Sequence, residues 1–236
     1  MQRRVLLAWS SGKDSAWSLH VLRQQAEVEL VGLITTIDGA RRRVPLHGTR
    51  LETVQAQARA VGLPLEVVPL PWPCSNEVYE RAIRRAIQNG LGRGATHLAF
   101  GDLFLEDVRD YRRQLLAGSG LEPLFPIWRH PTAAMARKIM DAGLVAVITG
   151  VDKRKLSPAF LGRRYDRTLL EELPPDVDPC GENGEFHTCV LDGPMFGEPL
   201  RARLAGTEET EDFAIADLRL ERQSAAARLE ELHSSG

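Results

Sequence analysis

The chain has little cysteine, no surplus of basic charge and no long apolar run, and each shortage removes a class of protein. Cys74, Cys180 and Cys189 are the whole cysteine complement, an odd number with no CxxC spacing, which argues against a disulfide-built scaffold. Lys and Arg together number 30 against 32 Asp and Glu, a formal charge of -2, so there is no basic excess pointing to nucleic acid as a partner. Lysine is itself scarce: Lys13, Lys138, Lys153 and Lys155 stand among 30 basic residues, a bias we attribute to GC-rich coding rather than to function. After Arg3 and Arg4 the apolar stretch Val5–Trp9 stops at Ser10, too short for a signal h-region or a membrane span. The expectation is a cytoplasmic protein with no membrane partner. No internal repeat or low-complexity tract is visible.

What is present is enough for a sizeable core: 236 residues, 43% of them hydrophobic, allow one large domain or two modest ones. Over the first 150 residues, apolar runs of strand length alternate with stretches of helical spacing, the pattern of a doubly wound parallel sheet. Val5–Trp9, Leu30–Ile37, Leu65–Leu70, His97–Gly101 and Val145–Val151 are the expected strands. Leu51, Val54, Ala58 and Val61 share one helical face, as do Val78, Ala82 and Ala86 with Ile83 and Ile87 beside them. After Leu156 the character changes. A proline-rich irregular segment, Leu173–Gly181, leads to Phe186–Leu191, Leu200–Leu204 and Ala214–Leu220, which alternate like antiparallel strands, and Glu221–Gly236 reads as a terminal helix. The fold class is therefore α/β, a parallel sheet flanked by helices over residues 1–128, with a smaller α+β lobe over 129–236 closing on it.

The first expected strand ends in Ser10-Ser11-Gly12-Lys13-Asp14-Ser15 and opens a helix at about Ser15. Short hydroxyl residues and a glycine let backbone N–H groups approach an oxyanion, the helix N-terminus adds partial positive charge, and Lys13 adds a full one. Asp14 suits a divalent cation or the ordering of the loop. The spacing is not that of a Walker A loop, which needs a glycine four residues before Gly-Lys, so a kinase-like γ-phosphate cradle is disfavoured. A plain helix start capped by Ser10 or Asp14 is the alternative.

The second concentration of chemistry is DPCGENGEFHT, Asp178 to Thr188. Asn183-Gly184 could be a type I′ hairpin turn, and Cys180, His187 and Cys189 are zinc-ligand types, although their spacing matches no familiar finger. A hairpin turn would not account for Cys180, Glu185 and His187 together, and no fourth zinc ligand is apparent. Lesser candidates are Gly101-Asp102 at a strand end, a ligand site or a helix N-cap; Asp110-Tyr111-Arg112 on a helical face; His47-Gly48-Thr49-Arg50, with Thr49 as a cap or His47 bordering a ligand; and Gly150–Lys153, a loop for the same cleft.

The loop at Ser10–Ser15 resembles the SGGxDS loop of the PP-loop ATP pyrophosphatases, with Ser11 where that family usually has its first glycine, and GENGEFHT resembles the signature of its diphthine–ammonia ligase branch. With Phe100-Gly101-Asp102 and the two-lobed layout, the likeness covers essentially the whole chain. It implies a Rossmann-like, HUP-type fold and cleavage of ATP between its α- and β-phosphates, with Mg²⁺. The implied reaction adenylates a carboxylate and lets ammonia displace AMP to give an amide. The carboxylate would lie on a diphthine-bearing protein or on a small molecule of bacterial cofactor metabolism. Carried over, Ser10, Ser11, Gly12, Lys13, Asp14, Ser15, His47, Gly101 and Asp102 would bind ATP, with Asp14 at the metal. Asp110, Tyr111, Arg112, Glu182, Asn183, Gly184, Glu185, His187 and Thr188 would border the substrate. Lys13, Asp14, Glu185 and His187 are the catalytic set, with Glu185 or His187 taking a proton from ammonium. Residue 2 is Gln, so free ammonium is the expected donor, and self-association into a homo-oligomer is left open. Rival readings are tRNA thiolation, which normally brings cysteine pairs and a basic surface, and a nucleotide sensor without turnover.

Overall fold

The computed structural model describes residues 2–71 and 73–221. Alternating apolar runs and amphipathic stretches build β1 (Arg3–Ala8), α1 (Lys13–Arg23), β2 (Val28–Asp38), α2 (Leu51–Ala60), β3 (Leu65–Leu70), α3 (Asn76–Gly92), β4 (His97–Ala99), α4 (Glu106–Leu116) and β5 (Glu122–Leu124). The five strands form one parallel sheet in the order β3-β2-β1-β4-β5. The alternation of β1 divides the core in two. Val5, Leu7 and Trp9 face Leu19 and Leu22 of α1 and Val54 and Ala58 of α2. Leu6 faces the other way, with Ile83 and Ile87 of α3 and Leu115 and Leu116 of α4. Helices thus cover both faces, the Rossmann-like α/β arrangement expected from the sequence.

The chain winds outward from β1 to β3, then crosses back to β4 on the other side of β1. The crevice between the carboxyl ends of β1 and β4 is therefore the switch point at which such sheets bind ligands. Gly101 is needed there. A Cβ on it would lie 3.0 Å from the Asp14 carbonyl carbon and 3.1 Å from Ser15 N, so only glycine lets the end of β4 rest on the first turn of α1.

The remaining chain forms α5 (Thr132–Asp141), β6 (Val145–Asp152), α6 (Arg167–Glu172), β7 (Phe186–Asp192), β8 (Ala202–Glu209) and β9 (Phe213–Leu220), the strands making an antiparallel sheet in the order β7-β6-β9-β8. Two expectations are corrected. Val145–Val151 is not the last parallel strand but a central strand of this second sheet, antiparallel to both neighbours. An apolar run reads alike in either setting, because a central strand covered on both faces needs no alternation. The fifth parallel strand is instead the three-residue Glu122–Leu124, too short and too interrupted by Pro123 to be read from pattern. The terminal helix expected over 221–236 lies, from residue 222 on, outside the described residues.

The second sheet packs on the α1–α2 side of the first, Ala146, Ile148 and Val190 sharing one core with Val5 and Leu19. Gln57, fully buried on α2, ties the joint together: its amide nitrogen donates to Val190 O at 2.7 Å and Ser11 O at 3.1 Å, and its oxygen accepts from the Trp9 indole N–H at 2.9 Å. On the outer side, Asp217 of β9 accepts from Arg50 Nε and Nη2 at 2.6 and 2.8 Å and from Arg43 Nη2 at 2.9 Å.

Candidate functional site

The loop after β1 is held in a strained shape by its neighbours. Ser11 has φ +74, a left-handed conformation that costs a non-glycine residue about 1–2 kcal/mol. Its buried hydroxyl donates to Thr49 Oγ1 at 2.8 Å, which offsets that cost and leaves Thr49 as a tether for the loop rather than a helix cap. Gly12 is the N-cap of α1, without a side-chain cap from Ser10 or Asp14, so the plain capped-helix alternative fails. The reason for glycine is contact: a Cβ there would meet His47 Cε1 at 2.9 Å and Thr188 O at 3.2 Å. β7 approaches closely enough for Thr188 Oγ1 to accept from Lys13 N at 3.0 Å and for Val190 N to donate to Ser11 O at 2.9 Å.

A cavity of about 390 Å³ opens at the switch point. It gathers Ser10, Lys13, Asp14, Ser15, His47, Gly101, Asp102, Arg112, Glu182, Gly184, His187 and Thr188, so most of the positions singled out in the sequence converge although they span the chain. Ser11 and Gly12 lie just behind its wall. Asn183 and Tyr111 do not line it, and Asp110 is exposed, facing Arg109 and Arg113 at 3.5 Å. Gly150–Lys153 is also absent from the lining: Gly150 backs onto Leu46 O, and Asp152 binds Arg154. Asp102 is no helix cap, since α4 begins four residues later at Glu106.

Segment 178–185 is a loop, not a hairpin. Gly184 N donates to Gly181 O at 3.0 Å, closing a turn in which Asn183 does not take the positive φ of a type I′ turn, and the residues between α6 and this turn form no strand. Two carboxylates hold the loop from inside. Asp178 Oδ1 accepts from Cys180 N and Glu182 N at 2.8 and 3.3 Å; Glu185 Oε1 accepts from Asp178 N and Asn183 Nδ2, both at 3.0 Å. Glu185 is thereby turned away from the cavity. Cys180 and Cys189 diverge, the first toward Thr132 O and the second toward Gln57 and Val190 O, which dissolves the zinc set; among the described residues no three His, Cys, Asp or Glu side chains gather as metal ligands.

The two segments meet through charge. Lys13, almost fully buried, donates to the Cys180 carbonyl and to Asp14 Oδ2 at 3.0 Å, with its ammonium over the Tyr165 and Phe186 rings at 5.5 and 5.4 Å. Burial works against its charge, but Asp14 and the neighbouring acidic groups prevail and raise its pKa, so it stays an ammonium. Burial pushes the Asp14 and Asp102 carboxyls upward, partly opposed by Lys13 and by Arg112. Glu182 reaches across to accept from Leu103 N at 2.6 Å, and burial raises its carboxyl to about 7. The His47 and His187 rings lie 4.6 Å apart, tilted by 39°; burial lowers His47 to about 4 and takes His187 well below its ordinary value, so both imidazoles are neutral. Asp14 Oδ1 is buried without a partner, an acceptor suited to a hard divalent cation.

Sequence reading missed part of the wall: Thr35 and Thr36 at the end of β2, Tyr79 and Ile83 of α3, and Leu115 of α4. The strand-end rule points to Thr36; nothing in the local sequence marks Tyr79, which enters because its hydroxyl accepts from Arg112 Nη1 at 3.2 Å.

Fold and site together define a Rossmann-like α/β protein with a serine- and glycine-bearing loop at its switch point and a second sheet whose preceding loop brings carboxylates to the same cavity. The family model for the diphthamide synthase N-terminal domain matches residues 3–122, and that for the diphthamide synthase C-terminal domain matches residues 131–223. The chain belongs to this family. It is 31% identical over 120 residues to a diphthine–ammonia ligase of Danio rerio, a match covering 46% of this chain and 46% of that protein. The chain thus matches about half the length of that curated relative. No described helix is long and apolar enough to cross a membrane.

Proposed function

We propose that this chain is an ATP-dependent ligase that adenylates a substrate carboxylate and joins it to ammonia, releasing AMP and pyrophosphate. The observation that carries the reading is Lys13: one buried ammonium belongs to the oxyanion loop and at the same time holds the Cys180 carbonyl of the loop that bears Glu182. A nucleotide in the cavity and an acid beneath residues 178–185 would share that charge, as transfer from the α-phosphate to a carboxylate requires. The apolar side of the cavity, Ile34, Ile83, Leu98 and Phe100, suits a purine, while Ser10, Ser15 and the first turn of α1 suit phosphates. Asp14 would hold Mg²⁺, which supplies neutralisation of the polyphosphate charge when bound.

The chemistry follows from the inertness of a carboxylate toward amines. A carboxylate oxygen attacks the α-phosphorus and pyrophosphate leaves; ammonia then attacks the acyl carbon and AMP leaves with that oxygen. Lys13 and the N–H groups opening α1 face the charge that develops on the departing pyrophosphate. Ammonia is stored in water as ammonium, so a proton must be taken from it. Glu185 does not line the cavity, and His187 is too weak a base, whereas Glu182 lines the cavity with a carboxylate near neutral pKa and only its Oε1 held, by Leu103 N. We assign the proton to Glu182. The acid is a small molecule or a residue on a protein; in the second case diphthine is the group that the relative's name indicates.

The test is phosphorus NMR on ATP, Mg²⁺, ammonium and a pool of carboxylate metabolites, with Asp14→Ala as control. Acid-dependent AMP and pyrophosphate, absent in the variant, are expected. ADP and phosphate, or ATP binding without turnover toward both metabolites and diphthine-bearing protein, would refute the reading.

A further inference from the structure

Strand β7 of the second lobe runs beside the loop after β1, and its alternation brings one of its faces to a single residue of the first lobe. Phe186 and Thr188, two positions apart and so on the same side, meet Lys13 at its two ends: the Phe186 ring lies 5.4 Å from the ammonium, and Thr188 Oγ1 accepts from Lys13 N at 3.0 Å. Lys13 opens α1, and the N-cap residue Gly12 offers that helix end no side-chain cap. A hydroxyl 175 positions further along the chain therefore caps the helix from the other lobe.

That bond uses only half of the hydroxyl. A threonine oxygen accepts with its lone pairs and still carries one hydrogen to donate. Among the described residues no acceptor answers that hydrogen, although Thr188 is 1% exposed and buried polar groups are rarely left incomplete. Thr188 lines the cavity beside Ser10, Lys13 and Asp14, so its unanswered side belongs there. The group is also held in place. Branching at Cβ restricts its χ1, and β7 is fixed to the loop by Val190 N on Ser11 O at 2.9 Å and by His47 Nδ1 on Thr188 O at 3.1 Å.

Capping thus exchanges one donor for another: the Lys13 N–H is taken by Thr188, and the Thr188 O–H stands in for it at the cavity. A hydroxyl that already accepts is polarised and donates more strongly. The helix N-terminus and the Lys13 charge favour a negative partner at that point. We propose that Thr188 is a phosphate ligand supplied by the second lobe, its O–H donating to a phosphate oxygen of the bound nucleotide rather than bordering the acid as the sequence likeness implies. The inference rests on the reading of the cavity as an ATP site. It makes the grip on the polyphosphate a property of the joint between the two sheets, not of the parallel sheet alone.

The experiment is calorimetry of the full chain with ATP and, separately, with adenosine, both with Mg²⁺ and with neither acid nor ammonium present. Adenosine carries base and ribose but no phosphate, so ATP alone reports on the hydroxyl. Thr188→Val keeps the shape, and its methyl group keeps Lys13 N covered, so no other donor takes the place of the hydroxyl. It should weaken ATP at least about tenfold and adenosine less than about twofold, whereas Thr188→Ser, which restores the hydroxyl, should bind ATP within about threefold of wild type. Thr188→Cys covers the case of a poorly folded valine variant: a thiol is a weak donor at similar size, and the same split between ATP and adenosine is expected. Parallel loss of ATP and adenosine in both variants would reduce Thr188 to a structural cap, and ATP affinity unmoved in both would remove the contact; either overturns the proposal. Binding is read without turnover, so the split in a chain that forms AMP from no acid keeps the Thr188 ligand and loses the ligase reading. Acid-dependent AMP formation with ATP affinity unmoved by valine and cysteine does the reverse.

Discussion

Replacing Asp217 by Asn probes how the second lobe is fastened over the site. The Asp217 carboxylate is mostly buried and accepts from Arg50 at 2.6 and 2.8 Å, Arg43 at 2.9 Å and Arg219 at 3.2 Å, which holds its pKa well below the usual carboxylate range. Arg50 heads α2 and Arg43 precedes it, so one side chain of β9 clamps the segment that carries His47 and Thr49 to the site. Asn keeps the shape but takes the charge from between three guanidiniums and turns an amide N–H₂ toward one of them. Removing one partner of a buried ion pair costs about 3–5 kcal/mol; Arg50 is part-exposed, so we expect the low end, about 3 kcal/mol. For a chain of this size that is a fall of about 6–12 °C in Tm. The sign of the pH dependence is fixed. A carboxyl held low in the fold stabilises it above the unfolded carboxylate pKa of about 3.9, and this contribution disappears as pH falls through the still lower folded value. Urea denaturation at pH 7 and at intervals down to pH 3 should show the gap between wild type and Asp217→Asn shrinking below about pH 4. A gap under about 0.5 kcal/mol at pH 7 would refute the clamp.

Glu182 has the opposite sign. Its carboxyl is raised by burial to about 7, so the wild type should lose stability relative to Glu182→Gln as pH rises from about 4.5 to 7, while the variant loses amide formation with ATP binding kept. Equal stability–pH slopes for the two proteins would contradict the raised carboxyl. Gly101→Ala must push the first turn of α1 by a few tenths of an ångström; turnover should fall on the order of 10²-fold for a stability cost of about 1–3 kcal/mol, and unchanged turnover would show that the loop tolerates the shift. Ser11→Gly relieves the positive φ but loses the bond to Thr49, so its stability should stay within about 1 kcal/mol of wild type, whereas Ser11→Ala, which relieves nothing, should lose about 1–3 kcal/mol.

Much of this site was legible because the chemistry-bearing segments are short, polar and set between apolar runs. Ser10–Ser15 follows a five-residue strand core, and Glu182–Thr188 is dense in functional groups; either would be odd in a plain turn. What stayed hidden was direction. Sequence offered Glu185 or His187 as the proton acceptor, but backbone turns not visible in the string aim Glu185 at Asp178 N and Glu182 at Leu103 N. Likewise Val145–Val151 showed its burial but not its partners, since an apolar strand does not record which sheet it joins. The short strand Glu122–Leu124 escaped because three residues carry no period.

Once an acid that supports turnover is in hand, the most direct measurement labels its carboxylate with ¹⁸O and follows the phosphorus signal of the AMP formed. Attack of that carboxylate on the α-phosphorus must deliver one of its oxygens to AMP, so an isotope-shifted AMP signal is the predicted result. Unlabelled AMP, or label appearing in inorganic phosphate alongside ADP, would contradict adenylation of the acid by this site.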